Sequence, residues 1–263
     1  MKLTEINIYP VKSLAGIALQ SSPLDPMGLR YDRRWMLVTP AGKFITQRTH
    51  PQMVLIQPQL ADGVLTLTRQ GMPDHQVAPV STDSASMQVE IWNDRVNALH
   101  ISEQTDAWLT QAIHDPCRLV YIANDEIRQC DLLYADAGDH TGFADGFPLL
   151  LISQASLDDL NGRLQQPLSM KRFRPNLVVS GCAPYAEDGW RQIRIGDVTL
   201  RVVKPCSRCV ITTVDPETGV KGPGEPLRTL ARYRMRDNQV YFGQNLVHRQ
   251  QGVLSVNQEV IAQ

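Results

Sequence analysis

Apolar residues recur at every second position over much of the chain. Met87, Val89 and Ile91 alternate with Gln88 and Glu90, and Val198, Leu200 and Val202 alternate with Thr199 and Arg201. A period of two sends successive side chains to opposite faces of a pleated strand, so these stretches predict strands with one buried face. Shorter strands are expected around 2–9, 34–39, 43–47, 53–57, 64–68, 118–122, 176–180, 190–195 and 252–261. Turn formers separate them: Pro40-Ala41-Gly42, Ala61-Asp62-Gly63, and Asp215-Pro216 with Gly219; glycine and proline in such clusters interrupt regular structure.

Helical spacing occurs three times. Ser102 stands as an N-cap before an apolar face of Trp108, Leu109, Ala112 and Ile113. Ser153 precedes Leu157, Leu160 and Leu164, and Pro226 opens a third helix with Leu227, Leu230 and Ala231. Serine caps free amides and proline suits the first helical turn, so each start has a physical reason. Many short strands with few helices predict a mainly β, α+β fold built from barrel-like units. The polar stretch 124–146 lacks either period and is expected to be a junction or an active-site loop.

Composition narrows the functional classes. The formal charge of −1 over 263 residues gives no overall basic field for nucleic acid or an anionic membrane. The longest apolar run, 147–152, is far too short to cross a bilayer. The N-terminal Met1-Lys2-Leu3-Thr4-Glu5 has no secretory pattern, and the five cysteines are sparse and odd in number. The expectation is a cytoplasmic protein with reduced thiols. The six histidines show no ligand spacing, and Walker, G-x-S-x-G and G-x-G-x-x-G motifs are missing from the sequence.

The densest chemistry lies between Lys204 and Gly219, where Cys206 and Cys209 flank Ser207 and Arg208. A thiolate is a soft metal ligand or a sulfur nucleophile, and neighbouring cations such as Lys204 and Arg208 favour it. Spacing alone leaves three readings of Cys206-x-x-Cys209 open. It could be half a zinc site, a redox pair, or two small buried side chains at a strand end.

This segment resembles the signature of the MOSC-domain family of molybdenum-cofactor proteins, which includes amidoxime-reducing components and YcbX-type bacterial proteins. Further blocks resemble the family in its order: Tyr9-Pro10-Val11-Lys12-Ser13, Gly28-Leu29 with Asp32-Arg33, Phe173-Arg174-Pro175-Asn176 before Ser180-Gly181, and Phe242-Gly243-Gln244-Asn245. The resemblance implies an N-terminal β-barrel domain over 1–120 and a MOSC domain over 121–263. It implies a molybdenum–molybdopterin cofactor with Cys209 as the protein's metal ligand and Cys206 nearby. It places Lys12, Ser13, Arg33, Arg174, Asn176, Ser207, Arg208 and Asn245 around that cofactor, and Asp145 as a proton relay close to the metal.

The activity implied is reduction of small N-hydroxylated compounds such as amidoximes, hydroxylamines and N-hydroxylated bases, in a detoxifying role. Electrons would come from a separate iron–sulfur or flavin protein. Pyridoxal phosphate binding is a further expectation from the same resemblance. Two alternatives stand beside the reductase: a sulfur carrier holding a persulfide on cysteine for cofactor maturation, and a cofactor-binding module without catalysis.

Overall fold

The computed structural model describes residues 1–81 and 84–263. A nine-stranded sheet forms the largest layer. From one edge its order is Val260–Ala262, Gln192–Ile195, Val198–Arg208, Gln239–His248, Leu149–Ser153, Leu177–Ser180, Lys2–Ile8 and Ile17–Leu19, with Met235–Arg236 paired to Gln239–His248. One pair in it, Leu149–Ser153 with Leu177–Ser180, is parallel. A parallel pair needs a crossover, and the helix Gln154–Asn161 lies within it.

The first twenty residues therefore supply two strands to a sheet made otherwise by residues beyond 148. The exchange runs the other way as well, since Val253–Ser255 pairs with Ser21–Asp25. Leu3, Ile6 and Ile8 are buried with Leu151, Leu177, Leu200 and Leu246 in one cluster. Each fully buried aliphatic side chain of this kind contributes roughly 1.5–3 kcal/mol. A second, four-stranded antiparallel sheet takes Trp35–Val38, Arg118–Tyr121, Asp94–His100 and Ser86–Ile91 in that order. The helix Glu103–Ile113 sets Trp108, Leu109, Ala112 and Ile113 into a core with Val11, Leu14, Trp35 and Leu37. The protein is mainly β.

All three helices begin where their capping residues predict. The Ser102 side chain accepts from Thr105 N, the Ser153 side chain accepts from Ser156 N, and Pro226 precedes Leu227–Arg234. Three expected strands differ. The stretch 43–47 makes only isolated bridges, Val38 to Phe44 and Lys43 to Glu90. At 53–57, Pro51 presets a helical φ and opens the 3-10 helix Pro51–Leu55, which turns Met53 and Val54 inward. The strand expected over 252–261 is two short ones, Val253–Ser255 and Val260–Ala262.

Residues 124–146 contain no helix or named strand, as their composition predicts. Charge holds them in place. Buried Arg128 donates Nε–H to Asp94 at 2.7 Å, Nη1–H to Gly142 O at 2.9 Å and Nη2–H to Asp145 O at 3.2 Å. Asp136 and Asp139 pair with Arg201 and Arg249.

Candidate functional site

A cleft opens where the long strand Val198–Arg208 ends against the N-terminal segment. Lys12, Ser13, Arg33, Asp145, Arg174, Asn176, Ser207, Arg208, Cys209 and Asn245 all line it. Ten residues from six separated parts of the sequence thus meet in one place. Ile211 and Thr212 of the cysteine segment join them, as do Thr46, Arg48, Phe147 and Arg172, which were not expected there.

Backbone geometry explains part of the convergence. Gly243 has a φ of +82°, and a Cβ there would lie 2.8 Å from Leu151 O and 2.6 Å from an Ile152 side-chain carbon. Only glycine lets Gln239–His248 approach Leu149–Ser153 this closely, which carries Asn245 into the cleft. Ser13, Arg33 and Arg174 have φ values of 69°, 48° and 56°. Left-handed backbone is uncommon outside glycine, costs about 1–3 kcal/mol per residue and gathers at functional sites.

Six cations line the cleft: Lys12, Arg33, Arg48, Arg172, Arg174 and Arg208. Three are paired with carboxylates, Lys12 with Asp145, Arg33 with Asp32 and Arg172 with Asp215. Arg48, Arg174 and Arg208 have none within ion-pair distance among the described residues. Arg174 donates to Leu14 O at 2.6 Å, and both its guanidinium and that of Arg33 lie against the Tyr9 ring, at 4.2 and 4.3 Å. Burial lowers the Arg174 pKa to about 10 and pushes the Tyr9 phenol up to about 12. Arg208 donates to Phe173 O at 2.5 Å and to Cys206 Sγ at 3.0 Å, and its Nε is buried without a hydrogen bond. Partly desolvated positive charge without a counter-charge is costly to keep. An anion in the cleft would offset it.

Asn176 is almost wholly occupied by the protein. Its Oδ1 accepts from Arg33 Nη1 at 3.0 Å and Leu150 N at 3.1 Å, and its Nδ2 donates to Asn7 O at 3.1 Å. It orients Arg33, and it steadies the Asp32 carboxylate through a further side-chain hydrogen bond. Asn245 Nδ2 donates to Lys204 O at 3.2 Å, leaving its side-chain carbonyl available.

The two thiols of the motif lie in the cleft, each with an arginine. Cys209 follows the strand end in extended conformation and leads into the 3-10 helix Val210–Thr213. Arg48 Nη2 donates to its sulfur at 3.3 Å. Lys204, expected from sequence to be a cation for these cysteines, instead lies over the Tyr134 ring at 4.1 Å. Elsewhere, burial pushes the Cys117 and Cys130 thiols up to about 11 and about 12, which makes them inert. No group of three or more His, Cys, Asp or Glu side chains among the described residues could hold a metal ion. A metal at Cys209 must therefore bring most of its ligands with it.

Lys12, 5% exposed, donates to Phe143 O at 2.9 Å and to Asp145 Oδ1 at 2.6 Å. Burial lowers the Lys12 pKa, and Asp145 acts against that. The Asp145 carboxylate is hemmed in by protein, which alone would raise its pKa. The charges of Lys12, Arg48 and Arg33 prevail and hold it well below the usual carboxylate range. Its side chain nonetheless keeps 66% of its surface open toward the cleft. At neutral pH the carboxylate is ionised and the proton of the pair sits on Lys12 Nζ.

A cation-rich cleft around a half-buried cysteine gives the comparisons with known proteins a site to bear on. Residues 1–116 match the model of the MOSC N-terminal beta barrel domain, and residues 138–261 match that of the MOSC domain. The chain belongs to the MOSC-domain family. Among its relatives, human "Mitochondrial amidoxime-reducing component 1" is 36% identical over 98% of this chain and 82% of that protein. The mouse protein of the same name is 35% identical over 89% of this chain and 72% of that one. Rice "Molybdenum cofactor sulfurase" is 34% identical over 92% of this chain but 32% of its own length. A MOSC chain of this kind is related to the molybdenum cofactor by its homologues' names. No helix among the described residues is long and apolar enough to cross a membrane.

Proposed function

We propose that this MOSC protein is a molybdenum-cofactor-dependent reductase of N-hydroxylated compounds, among them amidoximes, hydroxylamines and N-hydroxylated bases, with Cys209 as the ligand to molybdenum. One observation carries the reading. A half-buried thiol shares its cleft with three arginines that have no carboxylate partner among the described residues. That donor set fits a pterin dithiolene with its phosphate, because soft sulfur suits a soft metal and forked guanidinium groups suit phosphate oxygens. The buried, unbonded Arg208 Nε is one donor that such a group would satisfy.

When bound, the cofactor supplies a two-electron centre able to take oxygen from an N–O bond. The protein's own groups do the rest. Arg174 and Arg208 grip the anionic end, and Arg33 is held ready by Asp32 and Asn176. Ser13, Ser207 and the Asn245 side-chain carbonyl bond polar edges, while Asn176 holds Arg33 in position. Lys12 Nζ holds a proton at the cleft wall, with Asp145 Oδ1 anchoring it through the 2.6 Å hydrogen bond. The Lys12–Asp145 pair relays protons that N–O cleavage consumes. Electrons come from a separate iron–sulfur or flavin protein.

The test is reduction of benzamidoxime by molybdenum-replete protein with an artificial electron donor, alongside metal analysis of Cys209→Ala. Turnover with about one molybdenum per chain supports the reading. Replete protein inert toward benzamidoxime, hydroxylamine and an N-hydroxylated base would sink it.

A second reading, sulfur carriage on cysteine, draws on Cys206 standing in the same cleft 3.0 Å from Arg208 Nη1 and on the sulfurase-named relatives. Cyanide-labile sulfur on metal-free protein would favour it.

A further inference from the structure

The strands Ser86–Ile91 and Asp94–His100 are joined by a loop of two residues, because Ile91 pairs with Asp94. Such loops require left-handed backbone, which glycine adopts freely and a bulky aromatic resists. Trp92 holds the first loop position at φ 56°, and its side chain is 41% exposed. An unfavourable conformation kept at a solvent-facing indole points from structure toward use.

What the turn delivers is an aromatic plate beside the cleft. Phe44 supports it, with ring centroids 4.9 Å apart. The Arg48 guanidinium lies over it at 4.3 Å, and Lys12 Nζ is 5.8 Å from the same ring. Arg48 makes one side-chain hydrogen bond among the described residues, to Cys209 Sγ at 3.3 Å. A guanidinium carries five N–H donors, so most remain available at the sulfur end of the cleft. Arg33 and Arg174 lie instead against the Tyr9 ring.

We propose that Arg48, stacked on Trp92, binds the oxygen of the substrate's N–O group beside Cys209, and that the Trp92 ring receives the planar body of that substrate. The assignment rests on the reductase reading and narrows it. Favoured substrates are flat, conjugated N-hydroxylated compounds, such as aryl amidoximes and N-hydroxylated bases, over small aliphatic hydroxylamines. The fork of Arg48 reads the N–O oxygen as a hydrogen-bond acceptor, and the indole face adds stacking that only a flat molecule can use.

Binding and turnover are measured apart. Benzamidoxime binding is followed by calorimetry on molybdenum-loaded protein without reductant, and turnover is followed with an artificial donor for benzamidoxime and for hydroxylamine. Arg48→Lys keeps the charge and loses the fork. It is expected to retain wild-type molybdenum and to weaken benzamidoxime binding about tenfold. Trp92→Gly suits the turn backbone better than tryptophan does, so folding is not at risk. It is expected to raise KM for benzamidoxime about tenfold more than KM for hydroxylamine, with a smaller change in kcat.

Loss of molybdenum from Arg48→Lys would assign Arg48 to the cofactor and overturn the proposal. Unchanged benzamidoxime binding would overturn it too. An equal rise in both KM values for Trp92→Gly would remove the stacking role. Wild-type protein that binds benzamidoxime through Arg48 yet reduces nothing defeats the reductase reading and spares this one. Wild-type protein that fails to bind it defeats both.

Discussion

Two charged clusters share the loop 124–146 and follow opposite rules. In the clasp beneath the loop, the cations have carboxylates to answer them: Arg128 has Asp94, while Arg201 and Arg249 share Asp136 and Asp139. In the cleft above, Arg48, Arg174 and Arg208 have none among the described residues. Matched charge of the first kind is finished and holds structure. Unmatched charge of the second kind costs stability unless something else arrives to neutralise it. The clasp also braces the cleft, since Arg128 bonds the carbonyl of Asp145.

Four experiments would break or sharpen this contrast. The largest effect is expected from Cys209→Ala, which should bring bound molybdenum and reductase turnover to background while the melting temperature of metal-free protein barely moves. Retained metal would remove Cys209 from the site. Next, Arg128→Met empties the centre of the clasp and strands its acceptors. It should cost about 3 kcal/mol in denaturant unfolding, and an unaltered midpoint would deny the clasp its structural part.

Asp145→Asn should act mainly on pH dependence. Asp145 works to keep the proton on Lys12 against burial. Without that charge the ammonium is lost at lower pH, so the alkaline limb of the kcat profile should shift toward acid. An unmoved limb would take Lys12 out of the proton path. The smallest effect is expected from Arg249→Ala at the clasp's rim. That side chain is 61% exposed, so solvent screens the pair and unfolding should change by less than about 1 kcal/mol.

Sequence and structure agree most closely where information is local or carried by motif. Ser102, Ser153 and Pro226 mark the helix starts because a cap or a preset φ acts within a few residues. The family resemblance named ten residues, and all ten line the cleft. The strand expected at 53–57 reads as a short apolar run, and Pro51, two residues earlier, overrides it. Asp94–His100 and Gln239–His248 were not expected as strands. The first carries Arg95 and Asn97, and the second buries Gln244 and is bent by Gly243. Arg48 and Trp92 lay outside any pattern. Arg48 comes from a turn and Trp92 from a hairpin tip, and only the folded chain sets them beside a cysteine more than a hundred positions later.

The pairing of Lys2 with Ser180 has a consequence for how the molecule is made. The strand Lys2–Ile8 leaves the ribosome before both of its partners, and its neighbour on one side follows within twenty residues. The neighbour on its other side follows only after about 170 more residues, on the order of ten seconds or more of translation. Throughout that interval an apolar ribbon waits with one bare edge, open to mispairing. The growing chain is therefore most open to mispairing before its second half exists.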